Sequence, residues 1–253
     1  MSIKRQDRQD RLLALLGSGT TLAITALARD LDVSDETIRR ELRDLEAAGR
    51  VERLHGAVRL ARRETEGPLD RRLHENVDAK KRIAQAAARF VADGDIIFID
   101  AGTTTFHIAQ ALRQHTDLTV ITNSLGVATA LGGINGNRLF LAGGQMDYEY
   151  RAFSDRQAQD YVAGFTPHLA LLSVGAVSAD RGLMDFHAGE ATMSRIAYAT
   201  AGRVLLAADA SKFGRYGLMA TAPCASVSVL VTDQPLAPDI ASAFAHAEVV
   251  VTG

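Results

Sequence analysis

The spacing of apolar residues changes along the chain, from helical to strand-like. In the first sixty residues two stripes have helical spacing, formed by Leu12, Leu13, Leu15 and Leu16 and by Ile38, Leu42 and Leu45. Each stripe predicts an amphipathic helix with one face in a core. Between them, "ALARDL" favours a brief helix capped by Thr25, and Ser34 is placed to cap the helix that follows the turn "DVS".

A basic hairpin is predicted directly after these helices. The sequence "RVERLHGAVRL" contains two short extended runs that meet near His55 and Gly56. Helix, short turn, helix and basic hairpin together make a winged helix-turn-helix, which places its second helix in the major groove of DNA. The residues expected to face DNA are Ser34, Thr37, Arg39, Arg40, Arg43, Arg53 and His55. The alternative is a solvated helix with ion pairs such as Arg40 with Asp44.

Charge is divided unequally between the two parts of the chain. Residues 1–63 hold 13 Lys and Arg against 10 Asp and Glu, a net charge of +3. The remaining residues hold 15 against 20, a net charge of −5. A basic module joined to an acidic one favours a nucleic-acid partner, so double-stranded operator DNA is expected to bind the first module.

After a charged stretch that contains Gly67 and Pro68, the pattern becomes that of a buried sheet. Seven short apolar runs alternate with helical segments: "DIIFID", "LTVIT", "RLFLA", "HLALLSV", "RVLLAAD", "SVSVLVT" and "AEVVV". Continuous apolar strands separated by helices are typical of a mostly parallel α/β sheet covered on both faces. The predicted organisation is a winged helix-turn-helix domain over 1–62, a linker over 63–78 and an α/β domain over 79–253.

Polar residues follow the ends of these strands, where open α/β sheets bind ligands. The sequence "AGTTT" offers a Gly, three hydroxyls and the N–H groups of a following helix, which suits phosphate, and Lys212 offers a compact positive charge. The expected effector-binding residues are Asp100, Gly102, Thr103, Thr104, Thr105, Thr122, Asn123, Ser124, Gly143, Gly144, Asp185, His187, Glu190 and Lys212. The alternatives are that the threonines only cap a helix and that Asp185, His187 and Glu190 lie on a surface loop.

Five motifs occur in an order that resembles the DeoR family of transcriptional regulators. They are "VSDETIRRELRDLEAAGRVERLHG", "IDAGTTT", "VITNS", "LAGG" and "ADASKFGR". The resemblance covers nearly the whole chain and implies a winged helix-turn-helix followed by a sensor domain related to sugar-phosphate isomerases. It also implies a homo-oligomer, a dimer or a tetramer, that releases operator DNA when a phosphorylated carbohydrate binds.

The sequence departs from the family pattern in three segments. The wing has His55-Gly56-Ala57 where the family usually has His-Gly-Gly-Ala, and "QMDYEYRAFSD" follows "AGG" where a Gly-rich step is common. The segment "GLMDFHAGEA" is similar to the glycerol-3-phosphate repressor branch, although Arg195 stands where many members have Lys. This similarity makes glycerol-3-phosphate the first expectation among phosphorylated sugars and polyols.

Other functional classes fit the sequence less well. No apolar run is long enough to span a bilayer, so a cytoplasmic protein without membrane contact is expected. Cys224 is the single cysteine and no Cys and His cluster has zinc-ligand spacing, so neither a metal nor a cofactor is expected. The main alternative is an isomerase-like enzyme that uses Asp100 and Lys212, but the "DGADE" and "KGGG" type motifs of ribose-5-phosphate isomerase are absent. A constitutive DNA-binding protein with a vestigial sensor is the third alternative.

Overall fold

The computed structural model describes residues 3–16, 21–47, 51–54, 56–60 and 66–253. The chain divides into an N-terminal unit, Met1–Glu64 together with Gly214–Tyr216, and a C-terminal unit, Thr65–Phe213 together with Gly217–Gly253. In the described part of the chain, no helix is both long and apolar enough to cross a membrane.

The N-terminal unit contains the predicted helices and hairpin. Its elements are α1 (Ile3–Leu15), β1 (Leu22–Ala23), α2 (Ile24–Asp30), α3 (Asp35–Ala47), β2 (Val51–Leu54) and β3 (Ala57–Leu60). The strands form an antiparallel sheet in the order β1-β3-β2. Ile38 and Leu42 of α3 are fully buried, in a core that also holds Leu12 and Leu16.

Two helix N-termini in this unit test the capping predictions. The Ser34 hydroxyl accepts a hydrogen bond from the Thr37 N–H at 3.3 Å, so the predicted cap of α3 is confirmed. The prediction that Thr25 caps α2 is wrong, because the helix begins at Ile24 with Ala23 at the N-cap and no side-chain cap. Ala23 is held in the sheet and Ile24 is buried, so packing rather than a hydroxyl sets this helix start.

The C-terminal unit alternates helices and strands. Its helices are α4 (Leu69–His74), α5 (Val77–Ala88), α6 (Thr103–Ala111), α7 (Leu125–Leu131), α8 (Arg156–Ala163), α9 (Ala188–Thr200) and α10 (Pro238–Ala243). Its strands are β4 (Ile96–Ile99), β5 (Thr119–Thr122), β6 (Arg138–Leu141), β7 (Met146–Asp147), β8 (Ala152–Phe153), β9 (Leu169–Leu172), β10 (Ala176–Ser178), β11 (Gly182–Asp185), β12 (Arg203–Ala207), β13 (Met219–Ala222), β14 (Val229–Thr232) and β15 (Glu248–Val251).

The central sheet confirms the predicted fold class. Seven parallel strands lie in the order β15-β14-β12-β9-β4-β5-β6, and each of them comes from one of the seven apolar runs. Apolar clusters pack on both faces of the sheet, which explains why these strands show no polar alternation. The chain builds outward from β4 in one direction and from β9 in the other, so the strand order reverses between β4 and β9.

Smaller elements were not predicted from the sequence. Strands β10, β11 and β13 form a separate antiparallel sheet, and β7 pairs with β8 in a short hairpin. Part of the predicted linker over 63–78 is helical, since α4 lies within it and buries Leu69 and Arg72. The stretch is rich in charged residues and therefore resembles a solvated linker, although Leu69 and Arg72 face inward.

Candidate functional site

A small cavity lies in the C-terminal unit where the order of the parallel strands reverses, between β4 and β9. We call it the switch-point cavity. Its walls include Ala101–Thr104, which follow β4, and Ser173–Gly175, which follow β9. The volume within which the centre of a water molecule fits is about 30 Å³. Ligands of open α/β sheets bind outside the carboxyl ends of strands at such a reversal, so the position alone marks a candidate binding site.

The β4–α6 turn presents backbone donors to this cavity. Helix α6 begins at Thr103, and no side chain among the described residues caps its N-terminus. Gly102, Thr103 and Thr104 line the cavity. The first N–H groups of a helix have no partner within it and carry partial positive charge, so this turn is suited to an anion.

Gly102 allows the loops after β4 and β9 to approach closely. A Cβ atom at Gly102 would lie 2.1 Å from Ser173 Oγ and 3.2 Å from Ser173 Cβ. Rotation of the Ser173 hydroxyl away from a new methyl group would break its hydrogen bond to Asp100 Oδ2, and Ser173 Cβ would still lie 3.2 Å away. The absence of a side chain at Gly102 thus permits the close contact with Ser173.

Gly102→Ala should lower the free energy of unfolding by about 1–3 kcal/mol, because the added methyl group overpacks the contact with Ser173. Urea denaturation measures this change. The control is Gly164→Ala, where the nearest atom to a new Cβ is the Tyr161 carbonyl oxygen at 3.4 Å, an ordinary contact. Equal stability of the two variants would contradict the overpacking.

Two buried carboxylates hold the loop after β9. The Ser173 N–H donates to Asp100 Oδ2 at 2.8 Å, and the Gly175 N–H donates to Asp185 Oδ1 at 2.8 Å. Asp185 Oδ2 also accepts from the Ser194 hydroxyl at 3.3 Å. Both carboxylates therefore shape the cavity wall, and both line the cavity together with Glu190.

The carboxyl groups on the acidic side of the cavity bind a proton more readily than exposed carboxylates do. Burial raises the pKa of Asp100 to about 6 and that of Asp185 to about 7. Burial, together with the nearby Asp185 carboxylate, raises the pKa of Glu190 well above its usual range. Removal from water disfavours the ionised form, and a protonated carboxyl group donates a hydrogen bond whereas an ionised one only accepts.

The basic side of the cavity is formed by residues that are distant in sequence. Arg72 of α4 and Lys212 each form an ion pair with Glu66, and all three line the cavity. Lys80 of α5 is buried behind them and donates to the Arg72 carbonyl oxygen at 2.6 Å. Burial lowers the pKa of Lys80 to about 8, and the neighbouring Lys212 and Arg72 add to this effect. Several cations thus converge on one corner of the site.

Part of the predicted effector set lies in this cavity. The members that line it are Asp100, Gly102, Thr103, Thr104, Asn123, Asp185, Glu190 and Lys212. The surface-loop alternative for Asp185 is wrong, because Asp185 is buried at the end of β11. Asn123 donates from Nδ2 to the Phe153 carbonyl oxygen at 3.1 Å, while its buried Oδ1 has no hydrogen-bond partner among the described residues.

The remaining members of the predicted set lie outside the cavity lining, namely Thr105, Thr122, Ser124, Gly143, Gly144 and His187. Thr105 is turned inward and donates to the carbonyl oxygens of Asp100 and Gly102 at 3.2 and 3.1 Å. Ser124 caps α7, because its hydroxyl accepts a hydrogen bond from the Val127 N–H at 3.3 Å. Gly143 and Gly144 follow β6, which is separated from β4 by β5 and so lies roughly 10 Å to the side.

The predicted DNA-facing residues of the N-terminal unit lie mainly on α3. The side chains of Arg39, Arg40 and Arg43 are exposed, and Thr37 is half-buried at the first turn of the helix. On the hairpin, exposed Arg53 pairs with Glu46 at 2.8 Å. His55 lies outside the described residues. An exposed basic helix beside a short hairpin has the geometry that helix-turn-helix proteins use against DNA.

Comparison with protein families accounts for both units. A model of the DeoR-like helix-turn-helix domain matches residues 8–64, and a model of the DeoR C-terminal sensor domain matches residues 75–234. The chain belongs to the DeoR family. It is therefore a DNA-binding transcriptional regulator, and the family predicted from the five motifs is confirmed.

Relatives of this DeoR-family chain match it over most of its length. The transcriptional repressor CsqR of Escherichia coli is 35% identical over 90% of this chain and 87% of its own. The transcriptional repressor AccR of Agrobacterium fabrum is 32% identical, over 90% and 89%. The glycerol-3-phosphate regulon repressor of Escherichia coli is 28% identical, over 92% of each chain. Ribose 5-phosphate isomerase from Methanocaldococcus jannaschii aligns with 55% of this chain and 55% of its own at 17% identity, with a TM-score of 0.41.

Several cavity residues of the DeoR-family chain were missed by sequence reasoning. They are Glu66, Arg72, Ala101, Ser173, Val174, Gly175, Met193 and Ser194. Ser173–Gly175 follow an apolar run just as the predicted motifs do, so the same strand-end argument could have found them. Glu66 and Arg72 lie in a stretch whose alternating charges resemble a solvated linker, and no local pattern distinguishes them.

Proposed function

We propose that the protein represses a carbohydrate or polyol catabolic operon and that a phosphorylated sugar or polyol releases it from its operator. The observation that carries this proposal is the switch-point cavity, in which buried Arg72 and Lys212 lie beside the uncapped N-terminus of α6. Together they offer two cations and fixed backbone donors to one anion.

The opposite side of the cavity is suited to hydroxyl groups. Asp100, Asp185 and Glu190 line it with carboxyl groups, and Asn123 adds an acceptor oxygen without a partner in the described residues. A phosphorylated polyol combines a dianion with neutral hydroxyls, which matches one basic and one acidic wall. Sequence similarity to a repressor named for the glycerol-3-phosphate regulon makes glycerol-3-phosphate the first compound to test.

The effector must bind more tightly to the conformation that does not bind DNA than to the one that does. A ligand with equal affinity for both conformations would not change the equilibrium between them. Helix-turn-helix proteins usually pair two half-sites through protein symmetry, so the proposal includes a homo-oligomer, a dimer or a tetramer. The predicted set of effector-binding residues stays a proposal, and the eight members that line the cavity are the first targets for substitution.

Calorimetry with matched pairs of compounds tests the proposal. Glycerol-3-phosphate or another phosphorylated sugar or polyol should bind, and its dephosphorylated form should not. Equal binding of both forms would show that the phosphate group does not contribute to recognition. A response to glucose-6-phosphate or fructose-1-phosphate alone would change only the identity of the effector, and turnover of any of these compounds would favour an enzyme instead.

Arg40→Ala should weaken operator binding by about 1–3 kcal/mol if Arg40 contacts a base, and by less if it contacts phosphate only. Its exposed position on α3 motivates the prediction. Fluorescence anisotropy with a DNA fragment selected by the protein from genomic DNA gives the affinity and its salt dependence. The control is Arg156→Ala, which removes an exposed arginine from α8 of the C-terminal unit. If Arg39→Ala and Arg40→Ala both retain the parent affinity and salt slope, α3 is not the recognition helix.

A further inference from the structure

Glu66 lies inside the proposed anion site although it is itself an anion. Its side chain is only 6% exposed, and its two carboxylate oxygens are divided between Arg72 and Lys212. A carboxylate that bridges a buried guanidinium and an ammonium makes the contacts that a phosphate oxygen would make there. Glu66 therefore stands where the charged group of an effector is expected.

With Glu66 in place, its carboxylate occupies the contacts to Arg72 and Lys212 that a phosphate group would use. The remaining volume of about 30 Å³ is enough for roughly two water molecules. Arg72 is 94% buried, and its Nε and Nη2 atoms have no hydrogen-bond partner among the described residues. These buried donors remain unused by Glu66, so a ligand with more oxygens than one carboxylate would satisfy the site better.

The turn that carries Glu66 is shaped by Gly67 and Pro68. Gly67 has a φ of +77°, a left-handed conformation that L side chains rarely adopt, and Pro68 follows it at the N-terminus of α4. In sequence, Glu66 comes two positions after Glu64, where the first segment of the N-terminal unit ends. Movement of Glu66 out of the cavity would thus change the Gly67-Pro68 turn at the start of α4.

We propose that Glu66 is a built-in competitor of the effector: its carboxylate occupies the site between Arg72 and Lys212, and a phosphate binds only by displacing it. This inference rests on the proposed function, since it assumes that the cavity binds a phosphate. Displacement exchanges one carboxylate for a dianion and moves the Glu66-Gly67-Pro68 turn. Effector binding and release of this turn are then one event.

Glu66→Gln should bind inorganic phosphate at least about tenfold more tightly than the parent protein. The amide has nearly the same shape as the carboxylate but no charge, so Arg72 and Lys212 lose their internal anionic partner. If Glu66 blocks the site about nine-tenths of the time, removal of the block raises the apparent affinity for phosphate about tenfold. Isothermal titration of the full-length chain with inorganic phosphate measures the affinity. The matched control is Glu75→Gln, which makes the same charge change at a glutamate of the same region that pairs with Arg71 and is 41% exposed.

The results separate the inference from the proposed function. Tighter binding by Glu66→Gln, with Glu75→Gln within about twofold of the parent protein, supports displacement. Equal or weaker binding by Glu66→Gln overturns it and leaves the phosphate site intact. Failure of the parent protein and both variants to bind phosphate at tens of millimolar contradicts the phosphate site itself, and with it the proposed function.

Hydrogen exchange of the parent protein provides a second readout that needs no variant. The Arg72 N–H donates to the Pro68 carbonyl oxygen at 3.2 Å, so the start of α4 depends on the turn that carries Glu66. Saturating phosphate should speed amide exchange over residues 67–72 while exchange in β4 and β9 stays unchanged or slows. Unchanged exchange over 67–72 with phosphate bound would overturn the displacement of Glu66.

Discussion

Lys212→Ala should lower the affinity for a phosphorylated effector by about 100-fold, because removal of one member of a buried charge contact typically costs 2–5 kcal/mol or more. Lys212 lies at the basic corner of the cavity and its side chain is 14% exposed. The turn that carries it is fixed by hydrogen bonds from the Ser211 N–H to Asp209 at 3.0 Å and from the Ala210 N–H to Asp233 at 2.7 Å. The ammonium group is therefore presented to the ligand by a well-supported loop.

Operator affinity without effector should change little in this variant, since Lys212 belongs to the C-terminal unit. Calorimetry measures the loss of effector binding, and anisotropy measures retention of DNA binding. Lys81→Ala, which removes an exposed lysine of α5, is the control for net charge. Effector affinity within threefold of the parent protein in Lys212→Ala would contradict the assignment of Lys212 to the anion site.

Asp185→Asn should become more stable relative to the parent protein as pH rises from about 4 to about 8, by about 3–4 kcal/mol. Burial raises the pKa of Asp185 to about 7. A carboxyl group whose pKa is higher in the folded state stabilises the fold when protonated. Its contribution is complete below the unfolded pKa and disappears as pH rises through the folded value.

The amide of the variant keeps an acceptor for the Gly175 N–H but cannot ionise. The charged groups that face Asp185 include Glu66, Asp100 and Glu190. The charges of Glu66 and Asp100 raise the pKa of Asp185 further, while hydrogen bonds from the Gly175 N–H and the Ser194 hydroxyl partly offset this rise. Urea denaturation of both proteins at several pH values gives the difference in the free energy of unfolding. Asp160→Asn on the surface of α8 is the control. A pH-independent difference between Asp185→Asn and the parent protein would show that Asp185 titrates normally.

The central sheet was predictable because its strands are buried on both faces. Each strand is a continuous apolar run such as "DIIFI", and the helices between the runs force parallel pairing. The sheet of β10, β11 and β13 was not predictable in the same way. Its strands are three or four residues long, and β10 and β11 are wholly buried without a period of two, so they have no distinctive pattern.

The cavity was predictable only in part, because its position depends on strand order. Thr103 and Asn123 follow neighbouring strands and were expected to meet at one edge of the sheet. Gly143 follows β6, which is two strands away from β4 in the sheet. It was included because it follows a strand end, but this rule does not say how far apart two strand ends lie across the sheet. Glu66 and Arg72 reach the cavity through the tertiary packing of α4, which leaves no trace in local sequence.

Operator release is the property that joins the two units, and it can be measured in one titration. The protein is first bound to a labelled genomic operator fragment, and glycerol-3-phosphate, other phosphorylated sugars and their dephosphorylated forms are then added while anisotropy is followed. We predict that at least one phosphorylated compound dissociates the complex, that its dephosphorylated form does not, and that Lys212→Ala resists dissociation. Equal release by the dephosphorylated form, or an operator complex indifferent to every phosphorylated sugar and polyol, would contradict a repressor controlled through a phosphate at the switch-point cavity.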